Sequence, residues 1–122
     1  MTLDPALATQ AFCYLTTTGR VTGNPHEIEI WFALHGNTAY MMNGDTNHAG
    51  GSADWVRNLR KQPAVRLRIA GHSFEATARV VTDPEEDALA RSLIREKYPP
   101  TSPDDSTWWG YIALPVAIDL HI

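Results

Sequence analysis

The sequence predicts an α+β, mainly β domain: six antiparallel strands closed into a barrel, with two or three helices packed at its side. Three observations predict it. Apolar and polar residues alternate along most of the apolar segments, which is the pattern of strands with two different faces. Short glycine-bearing turns join several of those segments, as hairpins require. Only a few stretches carry helix signals, so the order is not the strand-helix alternation of a doubly wound fold. At 122 residues the chain reads as one domain, 1–122, large enough to bury its own core.

Leu3–Gln10 reads as a short helix, with Asp4 as its cap and Pro5 in the first turn. Phe12–Thr18 reads as a strand ending at Gly19. Pro25–Leu34 alternates throughout, with Ile28, Ile30, Phe32 and Leu34 on one face and Glu27, Glu29, Trp31 and Ala33 on the other. A turn around Gly36 leads to a returning strand, Thr38–Asn43. Gly44–Gly51 is polar and glycine-bearing, hence a loop. Ser52 then caps a helix to about Gln62, stopped by Pro63. Val65, Leu67 and Ile69 mark the next strand; Phe74, Ala76, Ala78 and Val80 mark its partner, with Gly71-His72 as the turn between them. Asp83, Pro84 and Glu86 fit the N-cap, N1 and N3 positions of a capping-box helix. Leu89 and Leu93 are its expected buried stripe and Pro99-Pro100 its stop. Ile112–Ile122 alternates again as the last strand.

Charge and targeting exclude several classes. Ten basic against fourteen acidic side chains give a net charge of −4, which argues against a general nucleic-acid binder. No apolar run approaches the ~20 residues of a spanning helix. Met1–Gln10 has neither a basic n-region nor an apolar h-region, so no secretory signal is expected. The single cysteine, Cys13, lies in an apolar strand-like context and reads as a buried, inert thiol in a reducing cytoplasm.

Several familiar sites are absent by spacing. His26-Glu27 opens like a zinc-protease motif, but Ile30 stands where the second histidine belongs. His26, His35, His48, His72 and His121 are scattered without ligand spacing, so no metal is expected. Neither a nucleophile elbow nor a glycine-rich nucleotide loop occurs.

Three segments carry a constellation. Thr16-Thr17-Thr18-Gly19-Arg20-Val21-Thr22-Gly23-Asn24-Pro25-His26 gathers hydroxyls, glycines and an arginine in one turn. Such a turn can cradle an anion, though the same residues also read as plain turn chemistry with a solvated arginine. Asn43-Gly44-Asp45 begins a polar loop leading into a helix on which Trp55 and Asn58, three apart, share a face. An indole beside an amide suits a flat heterocycle; equally, Trp55 and Leu59 read as a core stripe. Arg57, Arg60 and Lys61 fall largely on another arc. Finally, Trp108, Trp109 and Tyr111 crowd a loop before the last strand, where they can line an apolar pocket or a subunit interface. Trp31 can join that pocket or the core.

Leu15-Thr16-Thr17-Thr18-Gly19-Arg20-Val21-Thr22-Gly23, Trp55-Val56-Arg57-Asn58-Leu59 with Pro63 after it, and Leu114-Pro115-Val116 occur in this order over about a hundred residues. Together they resemble the deazaflavin-dependent nitroreductase family of flavin/deazaflavin oxidoreductases. The resemblance implies a split β-barrel of the kind used by pyridoxamine-phosphate-oxidase-like FMN-binding proteins. It implies coenzyme F-420, with FMN as second choice, and hydride transfer to an electron-poor quinone, enone or nitroaromatic.

The resemblance also implies roles. Arg20, Thr22 and Gly23 meet the cofactor's phosphate. His26, Ile28 and Glu29 lie along its ring, while Asn43, Gly44, Asp45, Trp55 and Asn58 close over the ring and ribityl chain. Trp31, Trp108, Trp109 and Tyr111 face substrate. No acid or base is obligatory in such a reaction; His26 and Tyr111 are the candidates for a catalytic proton. Two departures stand out. Val21 occupies a place where a second basic residue is common, and the loop Gly44–Gly51 has Asp45 but no lysine. Both thin the grip on an acidic glutamyl tail. A non-catalytic module that binds FMN, haem or another ligand for storage or sensing is the alternative, and a homodimer fits the surplus of tryptophan.

Overall fold

The computed structural model describes residues 4–43, 54–98 and 114–122. A 3-10 turn, Pro5–Thr9, precedes the first strand, and the Asp4 carboxylate accepts the Ala6 N–H at 2.9 Å as its cap. Seven strands and two helices follow: β1 (Cys13–Thr18), β2 (Pro25–Ile30), β3 (Ala33–His35), β4 (Thr38–Asn43), α1 (Asp54–Lys61), β5 (Ala64–Ile69), β6 (His72–Val80), α2 (Pro84–Lys97) and β7 (Leu114–Leu120). All pairings are antiparallel, in the sheet order β2-β1-β5-β6-β7-β4-β3.

That order requires a curled sheet. Strands β2 and β3 occupy opposite edges, yet only Trp31 and Phe32 separate them in the chain. Laid flat, seven strands would span about 29 Å at the usual strand spacing. Three virtual bonds from Ile30 to Ala33 reach at most about 11 Å. The two edges must therefore meet at this corner, and the sheet closes as a split barrel.

The corner also explains why the described residues form seven strands rather than six. Pro25–Leu34 does not run as one strand: Phe32 and Ala33 are consecutive and both buried, which breaks the period of two. Up to Ile30 the chain pairs with β1, and from Ala33 it pairs with β4. The open backbone groups at the change of partner are met by the end of α2, as buried peptide groups require. Tyr98 Oη accepts the Phe32 N–H at 3.3 Å and donates to Ala11 O at 2.6 Å, while Lys97 Nζ donates to Phe32 O at 2.8 Å. Burial pulls the Lys97 ammonium down to about 8 and pushes the Tyr98 phenol up.

The barrel interior is filled by Leu15, Phe32, Met41, Leu67, Ile69, Val116 and Ile118, with Cys13 among them. Burial pushes the Cys13 thiol up to about 12, which leaves it inert. From α1, Val56 and Leu59 enter this core. Helix α2 packs on the outer face of the sheet with Ala90 and Ile94 fully buried, and Leu89 and Leu93 only partly so. Strand β7 is consequently covered on both faces, and Pro115 through Ile118 are all buried. Asp83 Oδ2 accepts the Glu86 N–H at 3.1 Å, giving half of the expected capping box. The Glu86 side chain instead binds Arg79 and the Tyr40 hydroxyl. The turn after β5 is centred on Ala70 and Gly71, at φ 50° and 84°, so His72 already belongs to β6.

Candidate functional site

The hairpin between β1 and β2 and one face of α1 enclose a cavity of about 380 Å³. Hydrogen bonds shape the hairpin. Gly19 N–H donates to Asn24 O at 2.8 Å, Gly23 N–H donates to Gly19 O at 2.8 Å, and Asn24 N–H donates to Thr22 Oγ1 at 3.2 Å. Gly23 sits at φ 76°, the left-handed conformation glycine tolerates best. Gly19 is needed for a different reason. A Cβ there would lie 2.7 Å from His26 Nε2, so the imidazole rests directly against bare backbone.

Arg20 joins hairpin to helix. Its backbone N–H and Nη1 both donate to Asn58 Oδ1, at 3.2 and 2.9 Å, and its Nη2 donates to Asp54 Oδ1 at 3.2 Å. From the helix, Lys61 Nζ donates to Arg20 O at 2.8 Å. The Asn58 amide is only 5% exposed and donates through Nδ2 to the buried Thr17 Oγ1 at 3.3 Å. Asp54, Asn58 and Lys61 follow the i, i+4, i+7 spacing of one helical face. Among the described residues, two of the five guanidinium N–H groups of Arg20 are engaged. The backbone N–H groups of Val21 and Thr22, also on the cavity wall, have no partner there.

A second cavity of about 400 Å³ lies farther along β2, walled by Phe12, Glu29, Ile30, Trp31 and Met42. The Trp31 indole stacks on the Tyr98 ring, with centroids 4.5 Å apart and planes 8° apart. The same edge strand thus serves both cavities, through His26, Glu27 and Ile28 in the first and Glu29 and Ile30 in the second.

A family model described as F420H(2)-dependent quinone reductase matches residues 5–120. The chain belongs to that family. It is a quinone-reductase-type oxidoreductase that uses coenzyme F-420 and passes a hydride to a small electron-poor acceptor. Solved structures show the same fold at low identity. An F420-H2 dependent reductase is 19% identical with a TM-score of 0.70, over 89% of this chain and 94% of that one. A Listeria innocua protein assigned as a pyridoxamine 5'-phosphate oxidase is 15% identical with a TM-score of 0.65, over 95% and 88%. A third, described as a domain-swapped dimer, is 20% identical with a TM-score of 0.70, over 89% and 80%.

In this reductase Arg20, Thr22, His26, Ile28, Trp55 and Asn58 line one cavity. Gly23 shapes the turn without lining it. Glu29 lies in the second cavity beside Trp31. Asn43 ends β4 opposite Leu114; its side chain, and Gly44, Asp45, Trp108, Trp109 and Tyr111, lie outside the described residues. Sequence reasoning gave no role to Asp54 or individually to Thr17 and Gly19, and it set Lys61 on another arc, whereas Lys61 shares the Asn58 face and reaches Arg20 O. The helical spacing of Asp54 and Lys61 around Asn58 was the available signal. Among the described residues no cluster of potential metal ligands occurs, and no helix is long and apolar enough to cross a membrane.

Proposed function

We propose that the Arg20 cavity holds the phosphate-bearing chain of coenzyme F-420 and that the Trp31 cavity receives the acceptor. The donor set supports the first assignment. Arg20 is pinned by Asn58 and Asp54 yet keeps three N–H groups outside those bonds, beside the backbone N–H groups of Val21 and Thr22. A fixed guanidinium with adjacent amides suits a phosphate. Lys61 brings a second cation to the hairpin from the helix, where the sequence carries Val21 after Arg20.

When bound, the reduced deazaflavin supplies the hydride, and the acceptor becomes its hydroquinone or reduced equivalent by taking that hydride and one proton. The protein's part is placement and exclusion of water. His26, held against Gly19, and Ile28 and Trp55 form the walls along which the ring would lie. Asn58 acts through Arg20, because its amide is spent on Arg20 and Thr17; it is a positioning residue. The stacked Trp31 offers an apolar wall to a flat acceptor. His26 is the candidate for a proton donor within the cofactor cavity. We further place the protein in the cytoplasm, supported by its single buried cysteine, and read it as a homodimer, supported by its four tryptophans.

Titration of purified protein with coenzyme F-420, FMN and FAD tests the site. Arg20→Ala should weaken F-420 binding at least tenfold and flatten its salt dependence, with circular dichroism unchanged. An unchanged affinity overturns the assignment. Turnover of reduced F-420 with quinones, enones and nitroaromatics then ranks the acceptors, and light scattering reads the oligomeric state.

A further inference from the structure

We infer that Glu29 makes the second cavity select acceptors by charge, admitting flat neutral or cationic molecules and rejecting those that carry a carboxylate or sulfonate. The inference rests on the reading of that cavity as the acceptor site. Its other described walls, Phe12, Ile30, Trp31 and Met42, are apolar, and Glu29 is the one titratable side chain among them. Phe12 and Trp31 are 44% and 41% exposed.

Among the described residues the nearby cations are bonded elsewhere. Glu29 pairs across the sheet with Tyr14, and the Arg68 guanidinium lies over the Tyr14 ring at 4.3 Å. That guanidinium is committed to Glu27, with Nη2 3.3 Å from Oε1. Lys97 is turned to the barrel corner, donating to Phe32 O and lying 3.8 Å from the Phe32 ring centroid. Among the described residues the Glu29 carboxylate has no hydrogen-bond or ion-pair partner. An acceptor seated beside the indole therefore meets a carboxylate that is not ion-paired among the described residues. A ligand anion a few ångströms from it is disfavoured by about tenfold at low salt, given partial solvent screening. A ligand ammonium, or a hydroxyl or N–H that can donate to the carboxylate, is favoured.

Three naphthoquinones with the same ring test this: menadione, a naphthoquinone sulfonate and a trimethylammonium naphthoquinone. Dissociation constants by calorimetry on cofactor-free protein, and KM and kcat with reduced F-420, are measured at low and high salt. The sulfonate should bind about tenfold more weakly than menadione, the penalty should appear in KM, and it should shrink in high salt. Glu29→Gln should collapse the ratio to within about twofold, and Glu29→Lys should reverse it. Equal binding of all three quinones by the wild type, or a ratio unmoved by Glu29→Lys, overturns the charge selection while leaving the cavity an acceptor site. If none of the three binds or is reduced, the acceptor assignment falls with it; F-420 binding, read separately, still tests the Arg20 cavity.

Discussion

Asn58 Oδ1 receives two hydrogen bonds from Arg20, one from the backbone N–H at 3.2 Å and one from Nη1 at 2.9 Å. One buried amide thereby fixes both the path of the hairpin and the direction of its guanidinium. Replacing it leaves the Arg20 N–H and the Thr17 hydroxyl without their partner. Asn58→Ala should cost about 1–3 kcal/mol of stability, the range for orphaned buried polar groups, and should weaken F-420 binding. Asn58→Asp keeps the acceptor oxygen but adds a negative charge beside Arg20. It should lose cofactor affinity by more than it loses stability, as paired urea melts and F-420 titrations would show.

Gly19 is held to glycine by a neighbour rather than by its backbone angles. In Gly19→Ala the new Cβ would meet the His26 ring, at an overpacking cost of about 1 kcal/mol or more. His26→Ala in the same chain should restore part of the melting temperature, since Asn24 O still lies 3.1 Å from that Cβ, without restoring cofactor affinity. If the single variant melts like the wild type, the contact does not constrain the hairpin.

Ala70 adopts φ 50° in the turn before β6, where a side chain is strained. Ala70→Gly should stabilise the protein by about 0.5–1 kcal/mol. Among the described residues Ala70 lines neither cavity, so KM and kcat should not move. A lower melting temperature would contradict the strain.

Acid should loosen the attachment of α2. Hydrogen bonds from Arg79 hold the Glu86 carboxyl at about 2 in the folded protein, against an ordinary 4.5. A depressed carboxyl contributes stability above its unfolded value, and that contribution fades as pH falls from about 4.5 toward 2. Because Arg79 is 43% exposed, solvent screening reduces the effect to on the order of 1 kcal/mol. The urea midpoint should drop over that window, and Glu86→Gln should flatten the drop. Asp119, lowered by the same arginine, should leave part of it.

The legible parts of the fold were those with a local cause. Period-two alternation marks β5 and β6, Gly19 ends β1, Asp83-Pro84 starts α2, and Gly36 turns β3 into β4. The missed break at Trp31-Phe32 has no local signal, because Leu34 and Ile30 keep the alternation on paper; the strand ends only because its partner changes. The same holds in the site. Arg20 and Asn58 were each visible as candidates, but their direct bond spans 38 residues, and only packing shows that Asn58 positions the arginine.

By itself, then, the sequence determined the class of the protein: a small split barrel of the deazaflavin reductase family, with Arg20 in a glycine-bearing turn and Trp55 on a helix. Strand alternation, caps, turns and ordered motifs are written in neighbouring residues and need no third dimension. The tertiary structure decided what those pieces do to one another. It closed the sheet at a two-residue corner pinned by Tyr98, clamped Arg20 between Asn58 and Asp54, and placed Glu29 in the cavity of Trp31 rather than that of Arg20. Each outcome depends on which segments come together across the barrel, and that is set by closure of the sheet and burial of its core.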